Sequence, residues 1–204
     1  MTLLLFATII LVVVALAAIQ LLADLRFRRM RPTRIADCRD GQLVKVVGRA
    51  VAITATTAPF SERPCVAWRI TATMGHTKRA KTAGRAHIDT FIVNDGSGEA
   101  LVDPTGVSAF GHGHLRLDPD FDARARWETV DLGSLPGLAV LDLPKANQAT
   151  EAIVAVGERI AVRARVAIDP GTRAVRLVAD RGKHMVLTDQ PRLIGRWPAP
   201  ARGA

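Results

Sequence analysis

The sequence predicts an all-β, barrel-like domain behind a single N-terminal transmembrane α-helix. Residues 3–22 form a run of twenty residues without one charge. At about 1.5 Å per residue this run reaches roughly 30 Å, the thickness of a bilayer's hydrocarbon core. Past Pro32 the chain becomes a series of short branched or alternating runs separated by Gly, Pro, Asn and Asp, the pattern of strands and turns. Of the 204 residues, 49% are apolar and 23% charged, a composition suited to a folded body rather than to disorder.

Only Thr8 and Gln20 interrupt the apolar run, and its β-branched residues are well tolerated where backbone groups have no solvent to bond. A cleaved signal peptide is the competing reading, because Ala15-Leu16-Ala17 offers small residues of the cleavage-site kind. No Lys or Arg precedes the run, however, and it exceeds the roughly 7 to 15 residues of a signal core. Directly after it come Arg26, Arg28, Arg29, Arg31 and Arg34, and basic flanks stay on the cytoplasmic side. The expectation is a single-pass protein of the cell (inner) membrane with its N-terminus outside and its body cytoplasmic. Residues 1–25 are the transmembrane helix and 26–34 a basic juxtamembrane segment. Residues 35–189 are the β domain and 190–204 a flexible, proline-containing tail.

This division changes the meaning of the charge. The whole chain carries 28 basic and 19 acidic residues, or +9. Residues 35–204 carry 23 and 18, or +5, which solubility or attraction to a membrane surface accounts for without nucleic acid. The flank anchors topology and can touch anionic headgroups at about 1 kcal/mol per residue.

In the body, a first strand is expected at 43–51, opened by Asp40-Gly41 and partly apolar on both faces. A second runs over 65–72, after the proline-bearing stretch 58–64. Residues 73–86, with Lys78, Arg79, Lys81 and Arg85, look like a long loop. Residues 88–93 and 99–103 are β-prone runs around Asn94-Asp95-Gly96-Ser97-Gly98. They form a hairpin whose glycines supply positive φ, and Pro104 ends the second strand. Residues 111–114 and 118–122 resemble loops, 126–131 a strand, and 144–155 a short helix rich in Ala, Gln and Glu. From Arg159 to Ile168 the chain alternates, Ile160, Val162, Ala164 and Val166 opposing Arg159, Arg163 and Arg165, as a half-buried strand does. A turn at Asp169-Pro170-Gly171-Thr172 leads to strands at 174–179 and 184–188. A barrel built this way could be OB-like. Gly41-Gln42-Leu43-Val44-Lys45-Val46 also echoes Gly157-Glu158-Arg159-Ile160-Ala161-Val162, through duplication or because glycine-led strands are common in small barrels.

Enzymatic templates come up short. The chain has no G-x-S-x-G elbow, no phosphate-binding loop, no H-E-x-x-H pair and no dinucleotide fingerprint. His112 and His114 sit in a Gly-His-Gly-His stretch without a third ligand nearby, which a solvated loop explains as well as a metal does. Asp118, Asp120 and Asp122 lack apolar surroundings that would raise a pKa for acid catalysis. Cys38 and Cys65 match no metal spacing; Cys65, between Pro64 and Val66 on a strand, suits a packed core thiol better than a nucleophile. No catalytic residue, metal ligand or cofactor is assigned. Single-strand nucleic-acid binders use aromatic platforms, whereas aromatics here are 4% with no tyrosine.

Two stretches carry a resemblance. Ser61-Glu62-Arg63-Pro64-Cys65-Val66-Ala67-Trp68 resembles a Ser-x-x-Pro-Cys-Val-x-aromatic strand, and Phe91-Ile92-Val93-Asn94-Asp95-Gly96-Ser97-Gly98-Glu99-Ala100-Leu101-Val102-Asp103-Pro104 resembles a Phe-x-x-x-Asp-Gly-Ser/Thr-Gly-x-x-x-Val-Asp-Pro hairpin. Both belong to the membrane-adjacent domain of the GIDE or MULAN family, also called the BAM ("beside a membrane") domain. The chain resembles that domain over residues 35–189, with 106–150 matching poorly. Eukaryotic members join it to a C-terminal RING and are mitochondrial E3 ubiquitin ligases. Here no cysteine follows Cys65, and RING chemistry needs paired, cysteine-rich zinc sites, so the resemblance does not bring ligase activity with it. Arginine outnumbers lysine 23 to 5, which suits a GC-rich bacterial genome.

The expected function is a non-catalytic interaction or sensing module at the cytoplasmic membrane surface. Its expected partners are membrane lipid and an unidentified membrane-associated protein. The residues expected to carry the interaction are Pro64, Cys65, Trp68, Asn94, Asp95, Gly96, Gly98 and Asp103, unless these only turn the chain and fill the core. The alternative is a GIDE-type ubiquitin-transfer or accessory function.

Overall fold

The computed structural model describes residues 22, 25–74, 81–105, 115–119, 121–122, 146–180 and 185–195. The expected membrane helix lies outside them apart from residues 22 and 25, as do the expected strand at 126–131 and the pair His112 and His114. Among the described residues no helix is long and apolar enough to cross a membrane.

The fold is all-β around a closed five-stranded barrel. The described residues form, in chain order, the strands β1 (Leu43–Ala52), β2 (Thr56–Thr57), β3 (Pro64–Met74), β4 (Lys81–Ile88), β5 (Phe91–Asn94), β6 (Glu99–Asp103), β7 (Leu115–Arg116), β8 (Phe121–Asp122), β9 (Gln148–Ala155), β10 (Arg159–Ile168), β11 (Val175–Val178) and β12 (Val186–Thr188). The barrel runs β1-β5-β6-β11-β10 and closes where β10 pairs with β1. Its pairings are antiparallel except β6 with β11. Closure removes the sheet edges that an open five-stranded ribbon would expose.

The strand pattern dictates what fills the interior. Val44, Val46, Phe91, Val93, Val102, Ile160, Val162, Ala164 and Leu177 meet in one buried cluster, as alternation along each strand requires. β3 and β9 pair along most of their length in a second sheet, whose Val66, Ala67, Ala152 and Val154 join the same cluster. The two apolar faces of β1 are thereby explained. Its other face, with Lys45 and Val47, is covered by helical residues 25–29 and by the helical turn Pro191–Ile194.

Several expectations give way, among them the loop at 118–122, where Phe121–Asp122 form β8 against β9. The stretch read as a long loop holds β4, which pairs with β3 from Ala67↔Ile88 to Met74↔Lys81. The stretch read as a short helix holds β9, because Ala149, Ile153 and Val154 are buried there and ladders to β3 and β8 flank it. The tail expected to be flexible begins with Pro191–Ile194, whose Leu193 and Ile194 are buried; residues 196–204 lie outside the described part.

The sequence echo has a counterpart in space. Gly41 and Gly157 both have positive φ, 72° and 84°, and each opens one of the two strands that close the barrel. The Gly41 N–H donates to the Val166 carbonyl at 2.9 Å, and the Gly157 N–H to that of Ala50 at 2.7 Å. The Arg165 guanidinium donates to the Gly41 carbonyl, and Arg49 to that of Gly157 at 3.0 Å. Each residue maps onto its counterpart by the same offset (157 − 41 = 165 − 49 = 166 − 50 = 116), so a pseudo-twofold passes through the Val46↔Val162 pair.

Candidate interaction surface

The candidate residues divide between the two sheets. Pro64, Cys65 and Trp68 lie on β3. Pro64 is exposed, while Cys65 is fully buried. Burial, followed by the nearby Glu151 and Asp89 charges, pushes the Cys65 thiol up to about 12, which keeps it protonated at neutral pH. Trp68, nearly buried, sits opposite His87 of β4, their rings stacked with centroids 5.7 Å apart. The His87 Nε2 lies 2.8 Å from the Asp89 carboxylate. Glu151, which the sequence reading did not single out, is fully buried behind this strand. Its two oxygens accept the Phe60 and Ser61 N–H groups, each at 2.8 Å, and so fix the turn that leads into Pro64.

Asn94, Asp95, Gly96 and Gly98 occupy the β5–β6 hairpin, which is not a free tip. One Asp95 oxygen accepts from the Ser97 N–H, the Ser97 hydroxyl and the Gly98 N–H at 2.8, 2.7 and 3.1 Å. The other accepts the Ile35 N–H at 2.9 Å, and the Ser97 hydroxyl accepts from Ala36 at 3.2 Å. The hairpin therefore holds the 3-10 turn Ile35–Asp37, through which the chain enters the barrel. Gly96 has φ 83°, as a turn glycine should. Gly98 does not, contrary to the expectation that both glycines supply positive φ. Its reason is space, since a Cβ there would stand 3.2 Å from Ile35 Cγ2. Asn94 completes the turn, its Oδ1 accepting the Gly96 N–H at 2.8 Å. Asp103 accepts from Thr105 at 2.9 Å and from Arg176 at 2.5 Å. The Thr105 bonds first, and Arg176 after them, hold its carboxyl below the usual range.

The basic flank supplies the contact that sequence reasoning missed. Arg26, Arg28, Arg29, Arg31 and Arg34 are all exposed, but Phe27 among them is 2% exposed. It packs with Val47, Ala161, Val186, Leu193 and Ile194. Lys45 lies 4.7 Å over its ring and donates from Nζ to the Leu193 carbonyl at 2.5 Å. The Thr33 N–H adds a 2.8 Å bond to the Lys45 carbonyl. Burial lowers the pKa of Lys45, while the carbonyl and the aromatic face compensate its charge. A lone aromatic inside an arginine run was the one available signal.

No family model and no curated protein matches this chain. Among the described residues no group of three or more His, Cys, Asp or Glu side chains could hold a metal ion. An open groove of about 350 Å³ lies beside the 3-10 turn, lined by Ile35, Cys38, Glu99, Ile168 and Arg173 among others. The arrangement is one of clamps: Asp95 and Lys45 each fasten the segment that precedes β1 to the barrel.

Proposed function

We propose that this chain is a single-pass membrane protein whose β-barrel domain acts as a non-catalytic interaction or sensing module at the cytoplasmic membrane surface. The observation that carries this reading is the burial of Phe27 against Val47 and Leu193, five residues beyond Leu22. A helix spanning the bilayer over residues 3–22 would leave no slack linker, and the barrel would be held against the headgroups. Holding a domain at a surface raises its effective concentration for partners there. The exposed arginines around Phe27 suit both orientation and headgroup contact.

The strand order, counted within the barrel as first, second, third, fifth, fourth and back to first, fits an OB-like Greek-key barrel. The GIDE-type resemblance belongs to the same proposal and requires no ligase chemistry here. The test is topological. Reporter fusions after residues 34 and 189 should both give cytoplasmic signals, and the full chain should stay in the membrane fraction after alkaline extraction. A periplasmic signal at either position, or release into the supernatant, would overturn the reading.

A further inference from the structure

We infer that one end of the barrel, made by the last residues of β1 and the β9–β10 turn, is a lipid-contacting face that seats on an anionic bilayer surface. The inference rests on the membrane-anchored reading and specifies which residues meet the lipid. Among the described residues four large apolar side chains are exposed: Leu22 at 54%, Val51 at 39%, Ile53 at 56% and Val156 at 44%. Leu22 is the last of the twenty residues at 3–22. The other three come from segments about a hundred residues apart in sequence, joined where the Gly157 N–H meets the Ala50 carbonyl at 2.7 Å and the Ala50 N–H meets that of Glu158 at 2.9 Å. Gly157 and Glu158 both bond to Ala50, a bulge that ends the even register Gly48↔Ile160, Arg49↔Arg159 and brings Val156 beside Val51. The outer face of β1 reads Lys45, Val47, Arg49 and Val51, with Ile53 just past the end of the strand; Phe27 and Leu193 cover its first part and leave its last part bare.

The charges beside this patch indicate what covers it. Arg49 and Arg159 stand directly opposite each other across the β1–β10 ladder, both exposed, an arrangement that like charges disfavour. Among the described residues no carboxylate pairs with either. Arg165, the pseudo-twofold counterpart of Arg49, has Asp180 at 2.6 Å. Two unneutralised arginines beside three branched aliphatics match the layered chemistry of an anionic bilayer, phosphate outside and hydrocarbon within. Nucleic acid would call for aromatic platforms, and the patch has none.

The experiment uses the full chain with Cys38→Ser, reconstituted into phosphatidylglycerol-containing or pure phosphatidylcholine vesicles. An environment-sensitive fluorophore is placed at Ile53→Cys, at Val156→Cys or, on the exposed turn at the opposite end of β10, at Thr172→Cys. Lipid-borne quenchers should quench the labels at 53 and 156, more strongly in anionic vesicles, and spare that at 172. Arg49→Glu with Arg159→Glu should abolish that quenching while the chain still floats with the vesicles. Labels at 53 and 156 quenched no more than that at 172, on a chain that floats, would remove this face and leave the anchor standing. A chain that fails to float would overturn both. Shielding at 53 and 156 seen only in native membranes would point to a protein occupant and overturn the lipid assignment.

Discussion

Lys45 and Glu151 are the two charged side chains that the described structure withdraws from water, and each holds backbone from a distant segment. Glu151→Ala would leave the Phe60 and Ser61 N–H groups without their acceptor, at about 1–3 kcal/mol for each buried donor. Urea unfolding of the chain in detergent should show a loss of that order, with Glu151→Gln recovering part of it. Asp189 makes a different demand. Its two oxygens accept the Asp118 N–H at 3.1 and 3.3 Å, and burial, reinforced by Glu158 and Asp118, raises its pKa from 3.8 to about 7. Between those values the folded chain keeps a proton that the unfolded chain releases. The Asp189 contribution to stability is therefore full below about pH 4, declines as pH rises through 7, and is gone above it. Asp189→Asn should raise the unfolding midpoint at pH 8 and leave it near the wild-type value at pH 4, where a pH-independent difference would refute the assignment. The gain is bounded by about 1.4 kcal/mol per unit of raised pKa.

At the scale of elements, β10 and the β5–β6 hairpin are legible in the sequence because one face of each is buried and the other only in part. Ile160, Val162, Ala164 and Val166 alternate with polar neighbours, and Asn94 to Gly98 is turn chemistry. β9 is illegible for the opposite reason. Gln148, Ala149, Glu151 and Ala152 favour helix locally by a few tenths of a kcal/mol each, and the ladder to β3 outweighs that preference. β4 resembles a loop because Gly84 and Arg85 sit on a strand that pairs only with β3 among the described strands. The clamps are harder still to foresee, since lysine and glutamate are ordinarily surface residues. The paired glycines offer a test of the echo between β1 and β10. A Cβ at Gly41 or Gly157 would meet nothing within 4 Å, so alanine costs only the left-handed conformation, about 1–2 kcal/mol. Gly41→Ala and Gly157→Ala should destabilise by similar amounts in thermal unfolding; a neutral result at one of them would deny the equivalence.

Over the whole molecule, the segment before β1 and the turn after β12 converge on one patch of the barrel wall, where Phe27, Leu193 and Ile194 share a cluster. Phe27→Ala should loosen the first without opening the barrel. Limited trypsin digestion should then cleave faster at Arg26 to Arg34, while β1 to β12 resist as before; cleavage unchanged from wild type would mean that the segment is held without Phe27. Lys45→Met, which keeps the packing and removes the bond to Leu193, should give an intermediate rate. This convergence has a mechanical consequence. Tension applied between the N-terminal segment and whatever follows residue 195 would enter and leave the barrel wall at nearly the same place. The Phe27–Lys45–Leu193 contact would carry that load and yield first, and the closed ladder of β1 with β10 would be bypassed, as a fuse protects the circuit behind it.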